Sequence, residues 1–484
     1  MVVIGGGATG LGVAVDASLR GYKVALFEQH DFAKCTSSKS TKLVHGGVRY
    51  LQKGDIALVR EALKERGRLR HNAPHLVKNQ CFVIPNYSWF DNFLYTCGLS
   101  FYDMLSWGGL RLGRSLFISR KKTARYLPTV KTKGLKGGVV YHDGQFDDSR
   151  LAVNLAQSCE ENGGCPLNYT RVTGILHDID GKVSGVTVKD LETGKSYSLK
   201  SKSVINATGV FVDDIIQMDM PSNHKLVKPS QGAHLVFDGS FLNSDCALMI
   251  PSTSDGRVLF AVPWHGKVVV GTTDIVREEA ELEAVTMEKE IDFILQTAGL
   301  YMTRKPERKD ILSMFAGQRP LAAPKKEGKN TKEISRSHKI IVSENNLITI
   351  TGGKWTTYRR MAEDTVDRAI SLQLVTPSKC VTKHYKIHGS RPNPDLSNHL
   401  YVYGSDMPVI ENMIRNNPEM AAKIHPDYQF TVAEVVWAVR EEMARTVEDV
   451  LSRRVRLLYL DANAAIESAP VVAKAMASAL GYGQ

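Results

Sequence analysis

The sequence contains no run approaching the ~18 consecutive apolar residues that a membrane-spanning helix requires, so we expect no helical membrane crossing. It also lacks CxxC pairs, because its seven cysteines lie singly at positions 35, 81, 97, 159, 165, 246 and 380. This excludes a zinc ribbon and a cysteine-ligated iron–sulfur cluster, and we predict no metal site. The odd, scattered cysteines favour a reducing compartment, with the thiols mostly filling core space. No basic and apolar leader precedes the first predicted strand, so we expect no secretion signal.

Acidic residues are in deficit, since 62 Lys and Arg against 51 Asp and Glu give a formal net charge of +11. This balance favours an anionic partner, which leaves a phosphorylated substrate, a nucleic acid and an acidic lipid surface open. The remaining composition, 43% hydrophobic and 23% charged, is typical of a folded globular protein and excludes a disordered or repetitive chain. The length corresponds to about three domains of ~150 residues each.

The first thirty residues predict a nucleotide-binding unit of strand, turn, helix and strand. Apolar Val2–Ile4 precede the motif Gly5-x-Gly7-x-x-Gly10, a small-residue helix follows, and Lys23–Glu28 form a second buried strand. The glycines allow a tight turn, close approach of a pyrophosphate and close helix packing, and the helix N-terminus attracts the phosphates. Glu28 is placed to accept a ribose 2′-hydroxyl and to repel a 2′-phosphate. These residues together favour an adenine dinucleotide and disfavour NADP.

A later strand favours FAD over NAD. Residues 169–209 alternate between turn signals, which predicts an antiparallel meander, and the strand at its end leads into Ala207-Thr208-Gly209. A strand ending in this way after a meander resembles the flavoprotein version of the fold, in which it closes over the pyrophosphate. Chains that bind NAD alone lack the meander.

The whole pattern predicts an α/β (α+β) protein with a Rossmann-like FAD-binding domain, an antiparallel-sheet substrate domain and a mostly helical C-terminal domain. We expect helices at 55–71 and 408–481, strands across 225–275, and a strand, Gly-Gly turn and helix at 347–370. The predicted domains are a discontinuous FAD-binding domain at 1–70, 140–215 and 335–375, a substrate domain at 71–139 and 216–334, and a C-terminal domain at 380–484.

A series of further motifs points to one family. These are Thr36–Leu51, Phe146–Leu151, Gly271–Asp274, Gly317–Leu321, Gly352–Arg359 and the C-terminal Glu442–Arg454. They resemble, in the same order, the signature of the FAD-dependent glycerol-3-phosphate dehydrogenases, which belong to the D-amino-acid-oxidase-like flavoproteins. Gly209-Val210-Phe211 departs from the family pattern, because many relatives carry proline and tryptophan there. The sequence ends before the calcium-binding extension of the mitochondrial enzymes, so we expect the respiratory, bacterial form.

The resemblance implies oxidation of sn-glycerol 3-phosphate to dihydroxyacetone phosphate, with hydride transfer to N5 of the flavin. A phosphate dianion requires converging cations, and arginine donates two parallel hydrogen bonds. The candidates by family analogy are Arg49, Arg319 and Arg336, with Lys354 nearby. His234 is the candidate base, and Tyr50 and Thr272 are expected to orient the substrate hydroxyls.

The resemblance and the glycine turn also give a predicted set of FAD contacts. The Thr36–Thr41 loop offers hydroxyls and N–H groups, and the helix after Gly352-Gly353 would stabilise negative charge on the reduced flavin. The set consists of Gly5, Gly7, Thr9, Gly10, Glu28, Thr36, Ser37, Ser38, Thr41, His45, Gly46, Val172, Ala207, Thr208, Gly209, Gly353, Lys354, Trp355 and Thr356.

The sequence leaves the electron acceptor open between two alternatives. A dehydrogenase passes electrons to a membrane quinone, whereas an oxidase on the same fold reduces oxygen to hydrogen peroxide. The related oxidases carry an insertion that we do not find here, which favours the quinone. An FAD-binding protein acting on RNA is a more distant alternative, and we discount nucleic acid as a partner because no alternation of aromatic and basic residues is evident.

A quinone lies in lipid, so we predict peripheral binding to an anionic membrane surface, on the cytoplasmic face of the cell membrane. Residues 88–122 suit this contact, because they are rich in aromatics and turn basic at Arg111, Arg114 and Arg120–Lys122. The aromatics are Trp89, Phe90, Phe93, Tyr95, Phe101, Tyr102, Trp107 and Phe117. The alternative is that they pack in a core. The oligomeric state, including a homodimer, is left open.

Overall fold

The computed structural model describes residues 1–48, 51, 54–106, 112–221, 225–251, 253, 256–322 and 338–482. Over these residues two large sheets and one small sheet are covered by helices. The helices are α1 (Ala8–Leu19), α2 (Ile56–Asn72), α3 (Trp89–Leu105), α4 (Arg120–Tyr126), α5 (Asp148–Glu161), α6 (Val212–Asp219), α7 (Glu288–Tyr301), α8 (Tyr358–Ser371), α9 (Met407–Asn416), α10 (Val432–Glu441), α11 (Leu457–Leu460) and α12 (Ala462–Leu480).

The first sheet is the nucleotide-binding sheet that the opening residues predict. Its strand order is β18 (Lys339–Val342), β19 (Ile348–Thr351), β11 (Val204–Asn206), β1 (Val2–Ile4), β2 (Ala25–Phe27) and β7 (Cys165–Leu167). From β19 to β7 all neighbours are parallel, and β18 is antiparallel to β19. Its apolar side chains share one core with Leu11 of α1, Leu155 of α5 and Val366 of α8. All six strands lie within the three segments predicted for the FAD-binding domain.

The meander predicted for residues 169–209 forms a separate antiparallel sheet. Its strands are β8 (Thr170–His177), β9 (Val183–Asp190) and β10 (Ser196–Lys200). Val172, Val186 and Val188 on its inner face pack with Val2 and Ile4 of β1. The meander therefore packs against one face of the first sheet's central strands.

The second large sheet brings together the strand-rich segments on either side of the nucleotide-binding region. Its strand order is β16 (Ile275–Val276), β12 (Val227–Asp238), β15 (Lys267–Gly271), β14 (Leu259–Trp264), β13 (Ala247–Ile250), β4 (Val77–Asn86), β6 (Gly137–Phe146) and β3 (Leu43–Val44). In addition, β17 (Ser313–Ala322) pairs with β12 and β5 (Leu116–Ser119) pairs with β6. The sheet is antiparallel except where β13 runs parallel to β4.

A disulfide beside the parallel strands β4 and β13 corrects the expectation that the cysteines are mostly thiols that fill core space. Ala247 of β13 lies opposite Phe82 of β4, and the residues before them, Cys246 and Cys81, form a disulfide. Cys159 is buried as expected, but Cys97 and Cys165 are exposed. The pairing partners are 165 residues apart in sequence, so cysteine spacing alone could not predict it.

The C-terminal residues are mostly helical, as predicted, and they attach to the rest of the chain through buried ion pairs. Arg453 and Arg454 both contact Asp31, and Arg150 of α5 contacts Glu442. These side chains are almost completely buried, so removing one partner of a pair would leave the other charge unpaired in an apolar environment. Among the described residues, no helix has the length and apolar character needed to span a membrane.

Candidate active site

The glycine turn between β1 and α1 leaves space for a ligand's phosphates. Gly5 has φ +103°, and a Cβ there would lie 2.8 Å from the carbonyl oxygen of Ala207. The N-cap residue of α1 is Gly7, and the first turn of the helix contains no acidic side chain. Its N–H groups and positive end therefore face the turn without a competing carboxylate, which suits a pyrophosphate.

Gly10 serves the packing of this unit. A Cβ there would lie 1.9 Å from the carbonyl oxygen of Gly5, so any side chain would push α1 away from the turn. Gly10 lines neither of the cavities described below. Its role is the close helix packing that the motif predicts, without contact to a ligand.

Glu28 stands at the end of β2, where the ribose contact is predicted. Its carboxylate accepts hydrogen bonds from the backbone N–H groups of Gly6, at 2.7 Å, and His30, at 2.9 Å. Burial raises the pKa of Glu28 above its ordinary value, and the two backbone donors oppose that shift. Each carboxylate oxygen can accept a second hydrogen bond, so a ribose hydroxyl can bind there as well.

A narrow cavity of about 220 Å³ runs from this carboxylate along the turn. Its walls contain most of the predicted nucleotide contacts. They are Gly5, Gly7, Thr9, Glu28, Thr36, Ser37, Val172, Ala207, Thr208, Gly209, Gly353, Lys354 and Trp355. The glycine turn, the Thr36 and Ser37 hydroxyls and Glu28 on this wall fit the pyrophosphate and ribose of a dinucleotide, and the apolar part of the lining fits its adenine.

The loop after residue 35 forms one side of this cavity through backbone and hydroxyl contacts. The N–H of Ala8 donates to Ser37 Oγ at 3.0 Å, and Trp355 Nε1 donates to the Ser37 carbonyl at 2.8 Å. Thr36 Oγ1 donates to the carbonyl of Gln318 on β17. Ser38 points the other way, because its hydroxyl is buried against that of Tyr459, 3.1 Å away, and it lines neither cavity.

A second cavity of about 560 Å³ continues from the first, and both are lined by Thr36, Pro320 and Gly352–Trp355. Three predicted catalytic residues, His234, Thr272 and Arg319, lie on its walls, together with Lys354. The predicted flavin contacts Thr41, His45 and Thr356 line it too. A ligand that extends from the first cavity into the second would therefore meet the candidate substrate residues at its far end.

Strand pairing explains why these three residues converge. In the register of β12 with β17, Gly232 lies opposite Gly317 and His234 opposite Phe315. A Cβ on Gly232 would lie 2.4 Å from Arg319 Nη2 and 2.5 Å from Thr272 Oγ1. The missing side chain at Gly232 thus provides the space in which Arg319 donates to Thr272 Oγ1, at 2.9 Å.

His234 is fixed on both sides. Its Nε2 lies 2.8 Å from Thr41 Oγ1, and its ring stacks on Phe315 with centroids 4.9 Å apart. Burial, followed by the positive charges of Arg319 and Lys42, holds the pKa of His234 well below its ordinary value. The imidazole is therefore neutral at physiological pH and has a lone pair that can accept a proton.

Lys42 is a buried residue of the same loop to which the sequence analysis gave no role. Its ammonium group donates to both carboxylate oxygens of Asp148, at 2.7 and 2.9 Å, and to the Ser38 carbonyl. It lies 4.9 to 5.4 Å from the ring centroids of Trp264, Phe315 and Tyr459. Because His234 stacks on Phe315, this cluster helps to hold the candidate base in position. The sequence feature that could have identified Lys42 is its position within the Thr36–Leu51 motif.

One end of the larger cavity is apolar, which the sequence analysis also missed. It is lined by Leu43, Phe82, Tyr141, Met249, Val258 and Phe260. These residues come from β3, β4, β6, β13, β14 and, for Val258, the position just before β14, and they share a core with Leu99 on the inner face of α3. Below we call them the apolar end of the cavity.

Some predicted residues fall elsewhere. Arg49, Tyr50 and Arg336 lie outside the described residues, so their roles stay predictions. Gly46 does not line either cavity, and its N–H donates to the hydroxyl of Tyr102 at 2.7 Å. Among the residues that the structure describes, no group of three or more His, Cys, Asp or Glu side chains could hold a metal ion.

The aromatic segment 88–122 divides between core and surface. Tyr102 is buried, but the outer face of α3 exposes Trp89, Phe90, Phe93, Leu94 and Phe101, the first three by 63 to 70%. Leu116 and Phe117 of β5 are exposed beside them, and the ring of Phe117 lies 6.4 Å from that of Trp89. Arg114 and Arg120–Lys122 are exposed as well. Most of these aromatics are therefore exposed and do not pack in a core. Trp107 and Arg111 lie outside the described residues.

Comparisons with known proteins agree with this geometry. A family model described as "FAD dependent oxidoreductase" matches residues 1–365, and one described as "C-terminal domain of alpha-glycerophosphate oxidase" matches residues 346–484. The probable mitochondrial glycerol-3-phosphate dehydrogenase of Dictyostelium discoideum is 39% identical, over 99% of this chain and 81% of that protein. The mitochondrial glycerol-3-phosphate dehydrogenase of Saccharomyces cerevisiae is 37% identical, over 100% of this chain and 86% of that protein.

Solved structures are similar over most of the chain. The glycerol-3-phosphate dehydrogenase of Bacillus halodurans, complexed with FAD, aligns with a TM-score of 0.80 and 29% identity, over 100% of this chain and 91% of that chain. The L-alpha-glycerophosphate oxidase of Mycoplasma pneumoniae, with FAD bound, aligns with a TM-score of 0.61 and 17% identity, over 79% of this chain and 97% of that chain. At that identity the second similarity shows a common fold only.

Proposed function

Since the chain belongs to the family of FAD-dependent glycerol-3-phosphate dehydrogenases, we propose that it oxidises sn-glycerol 3-phosphate to dihydroxyacetone phosphate in the larger cavity and passes the electrons to a membrane quinone. The observation that carries the proposal is the convergence of Arg319, Thr272 and His234 around Gly232, where the larger cavity meets the second sheet. A cation for the phosphate, a hydroxyl and a proton acceptor are thereby supplied within one wall.

FAD is the cofactor, and the residues of the two joined cavities fit it. The glycine turn and the N-terminus of α1 would hold its pyrophosphate, and Glu28 its ribose. Thr41, His45 and Thr356 would lie along its ring system in the larger cavity. When bound, FAD supplies the acceptor for the hydride that leaves the substrate carbon.

Arg319 is the proposed phosphate ligand. Its guanidinium is held by Thr272 Oγ1 and the carbonyl of Thr273, and Asp274 lies 3.9 Å away. These contacts fix the direction of the guanidinium before substrate binds, which reduces the entropy lost on binding. Lys354 also lines the cavity and adds positive charge for a dianionic substrate, whereas Lys39, on the same wall, is paired with Glu283.

His234 is the proposed proton acceptor for the substrate hydroxyl. Its low pKa keeps it neutral and ready to accept a proton, but part of that lowering comes from Arg319. A phosphate dianion paired with Arg319 would offset this positive charge and raise the basicity of His234. Substrate binding would therefore strengthen the base at the moment when it is needed, while Thr272 orients the hydroxyl.

Two observations support a quinone that comes directly to the cavity from lipid. The apolar end of the cavity offers an apolar ring a place beside the polar substrate site. The same core reaches the inner face of α3, whose outer face exposes aromatics next to the basic residues Arg114 and Arg120–Lys122. Aromatic and basic side chains together favour the headgroup region of an anionic bilayer. The cytoplasmic face of the cell membrane stays the predicted location.

Anaerobic reduction tests the proposal. The yellow absorbance of the purified holoenzyme should bleach on mixing with sn-glycerol 3-phosphate, and glycerol without phosphate is the matched control. Adding a short-chain ubiquinone analogue should restore the colour much faster than air-saturated buffer does, with little hydrogen peroxide. Absence of bleaching would contradict the dehydrogenase activity. Fast reoxidation by oxygen with one peroxide per substrate would instead identify an oxidase.

A further inference from the structure

A buried polar network lies between the larger cavity and α3. Arg66 Nη1 of α2 donates to Asp143 Oδ1 at 2.6 Å, and Tyr102 of α3 donates to Asp143 Oδ2 at 2.8 Å. The Tyr102 hydroxyl in turn accepts the N–H of Gly46 at 2.7 Å. All three residues are at most 2% exposed. Burying an ion pair and a phenol is costly, so a contribution to stability alone does not account for them.

The network ends on a segment that forms part of the cavity wall. His45, Gly47 and Val48, on both sides of Gly46, line the larger cavity, and so does Asp143. On its other side the segment is held by the N–H of His45, which donates to Thr356 Oγ1 at 3.2 Å. The segment 45–48 is therefore fixed between the predicted flavin contact Thr356 and the hydroxyl of Tyr102.

Packing makes the contact at Gly46 specific. A Cβ on Gly46 would lie 2.5 Å from the Tyr102 hydroxyl oxygen and 2.7 Å from Leu63, so the backbone rests directly on these two side chains. Burial raises the pKa of Tyr102 far above its ordinary value, which keeps the hydroxyl protonated and able to donate to Asp143. With its proton committed to Asp143, the hydroxyl offers Gly46 a lone pair only.

We propose that Tyr102 is a positioning residue of the reaction: its hydroxyl, oriented by Asp143 and Arg66, fixes the segment 45–48 against the flavin and substrate in the larger cavity. Tyr102 does not touch the cavity itself and acts through the backbone of Gly46. The inference rests on the proposed function insofar as that cavity is where flavin and substrate meet.

Tyr102→Phe tests the proposal, because it removes the hydroxyl and keeps the ring. The matched control is Tyr403→Phe in the C-terminal region: Tyr403 is also fully buried and donates to a carboxylate, that of Glu434, at 3.2 Å, away from both cavities. Both variants lose a buried hydrogen bond, so both should show a lower melting temperature. Only Tyr102→Phe should lower the rate of flavin bleaching by substrate, by about tenfold, with KM within about twofold of wild type.

A readout independent of turnover accompanies the rate. The visible absorbance bands of the bound flavin should shift in Tyr102→Phe and not in Tyr403→Phe, because only the former changes the surroundings of the ring. Should Tyr102→Phe fail to yield folded protein, Gly46→Ala displaces the same contact from the other side and should give the same loss of rate and the same spectral shift.

Two results would overturn the inference. One is a Tyr102→Phe enzyme whose bleaching rate and flavin spectrum equal those of wild type; the other is an equal loss of rate in Tyr403→Phe. Failure of the proposed function is a separate result, since it would appear as an absence of bleaching in the wild-type enzyme.

Discussion

Arg319 reaches the cavity because Gly232, two residues beyond its pairing partner Ser230 on the neighbouring strand β12, has no side chain. The guanidinium occupies the volume that a side chain at 232 would take, and Thr272 fixes its direction. A glycine within a strand is otherwise unfavourable, because it has no side chain to pack and loses more entropy on folding. Strand β17 thus supplies the charged side chain, and strand β12 supplies the space that it occupies.

Arg319→Ala should weaken substrate binding while leaving flavin binding unchanged. The variant loses a charge-assisted contact to phosphate, worth ~1.5–3 kcal/mol, so KM for sn-glycerol 3-phosphate should rise by about ten- to a hundredfold. Steady-state kinetics and the flavin absorbance per protein measure the two effects. Arg304→Ala is the control, because Arg304 pairs with Asp310 outside both cavities. A KM within twofold of wild type would remove Arg319 from the phosphate site.

At the scale of elements, α3 has two faces with different tasks. Its inner face contributes Leu99 to the core beneath the apolar end of the cavity and Tyr102 to the network at Gly46. Its outer face exposes Trp89, Phe90 and Phe93. An exposed aromatic face of this kind on a folded protein marks a contact surface for lipid or protein. Its basic neighbours favour anionic lipid.

Co-sedimentation with anionic vesicles tests this surface. The wild-type protein should pellet with the vesicles and be partly released by salt, and replacing Arg120, Lys121 and Lys122 with glutamate should reduce pelleting. The matched control makes the same charge change at Lys189, Lys195 and Lys200, which are exposed on the three-stranded sheet. Equal pelleting of the triple variant and wild type would show that this basic cluster is not the anchor.

Replacing Trp89, Phe90 and Phe93 with serine separates the apolar contribution from the charge. This variant should still bind at low salt through its basic residues but be released at lower salt than wild type. An unchanged release profile would contradict a lipid contact of α3.

At the scale of the whole molecule, ion pairs join the C-terminal region to the nucleotide-binding region. His388 is one such junction: its ring lies 2.7 Å from Glu161 at the end of α5 and 2.7 Å from Asp406. Although burial opposes it, these two carboxylates raise the pKa of His388 to about 9. The folded protein therefore holds a proton there that the unfolded chain releases near the ordinary histidine value of about 6.5.

The stability that His388 contributes should depend on pH. Because its pKa is higher in the folded state, the contribution is fully present below about pH 6.5 and is lost as pH rises through about 9. His388→Gln should thus lower the melting temperature by about 1–2 °C at pH 6 and by less than half of that at pH 10, the effect being small because the site is partly solvated. Thermal unfolding at both pH values measures it. An equal difference at both would show that His388 is not charged in the folded protein.

The sequence determined those features that neighbouring residues decide. The glycine turn, the acidic end of β2 and the meander follow from the conformations and periodicity of short segments, so a dinucleotide could be predicted. The choice of FAD came from the resemblance of the meander and the strand after it to the flavoprotein version of the fold. The motifs that resemble the family also gave Arg319, Thr272 and His234. What they could not give was the reason these three meet, because that depends on the register of β12, β15 and β17.

Tertiary structure alone decided what distant segments do to one another. It brought Lys42 to Asp148 and three aromatic rings, Tyr102 to Gly46, and Cys81 to Cys246. It also turned most of the aromatics of α3 toward solvent, where helical spacing would equally have allowed a core. Local sequence fixes the direction of a side chain relative to its own helix or strand. What the side chain then meets is fixed by strand pairing and helix packing, which follow from the burial of apolar surface over the whole chain.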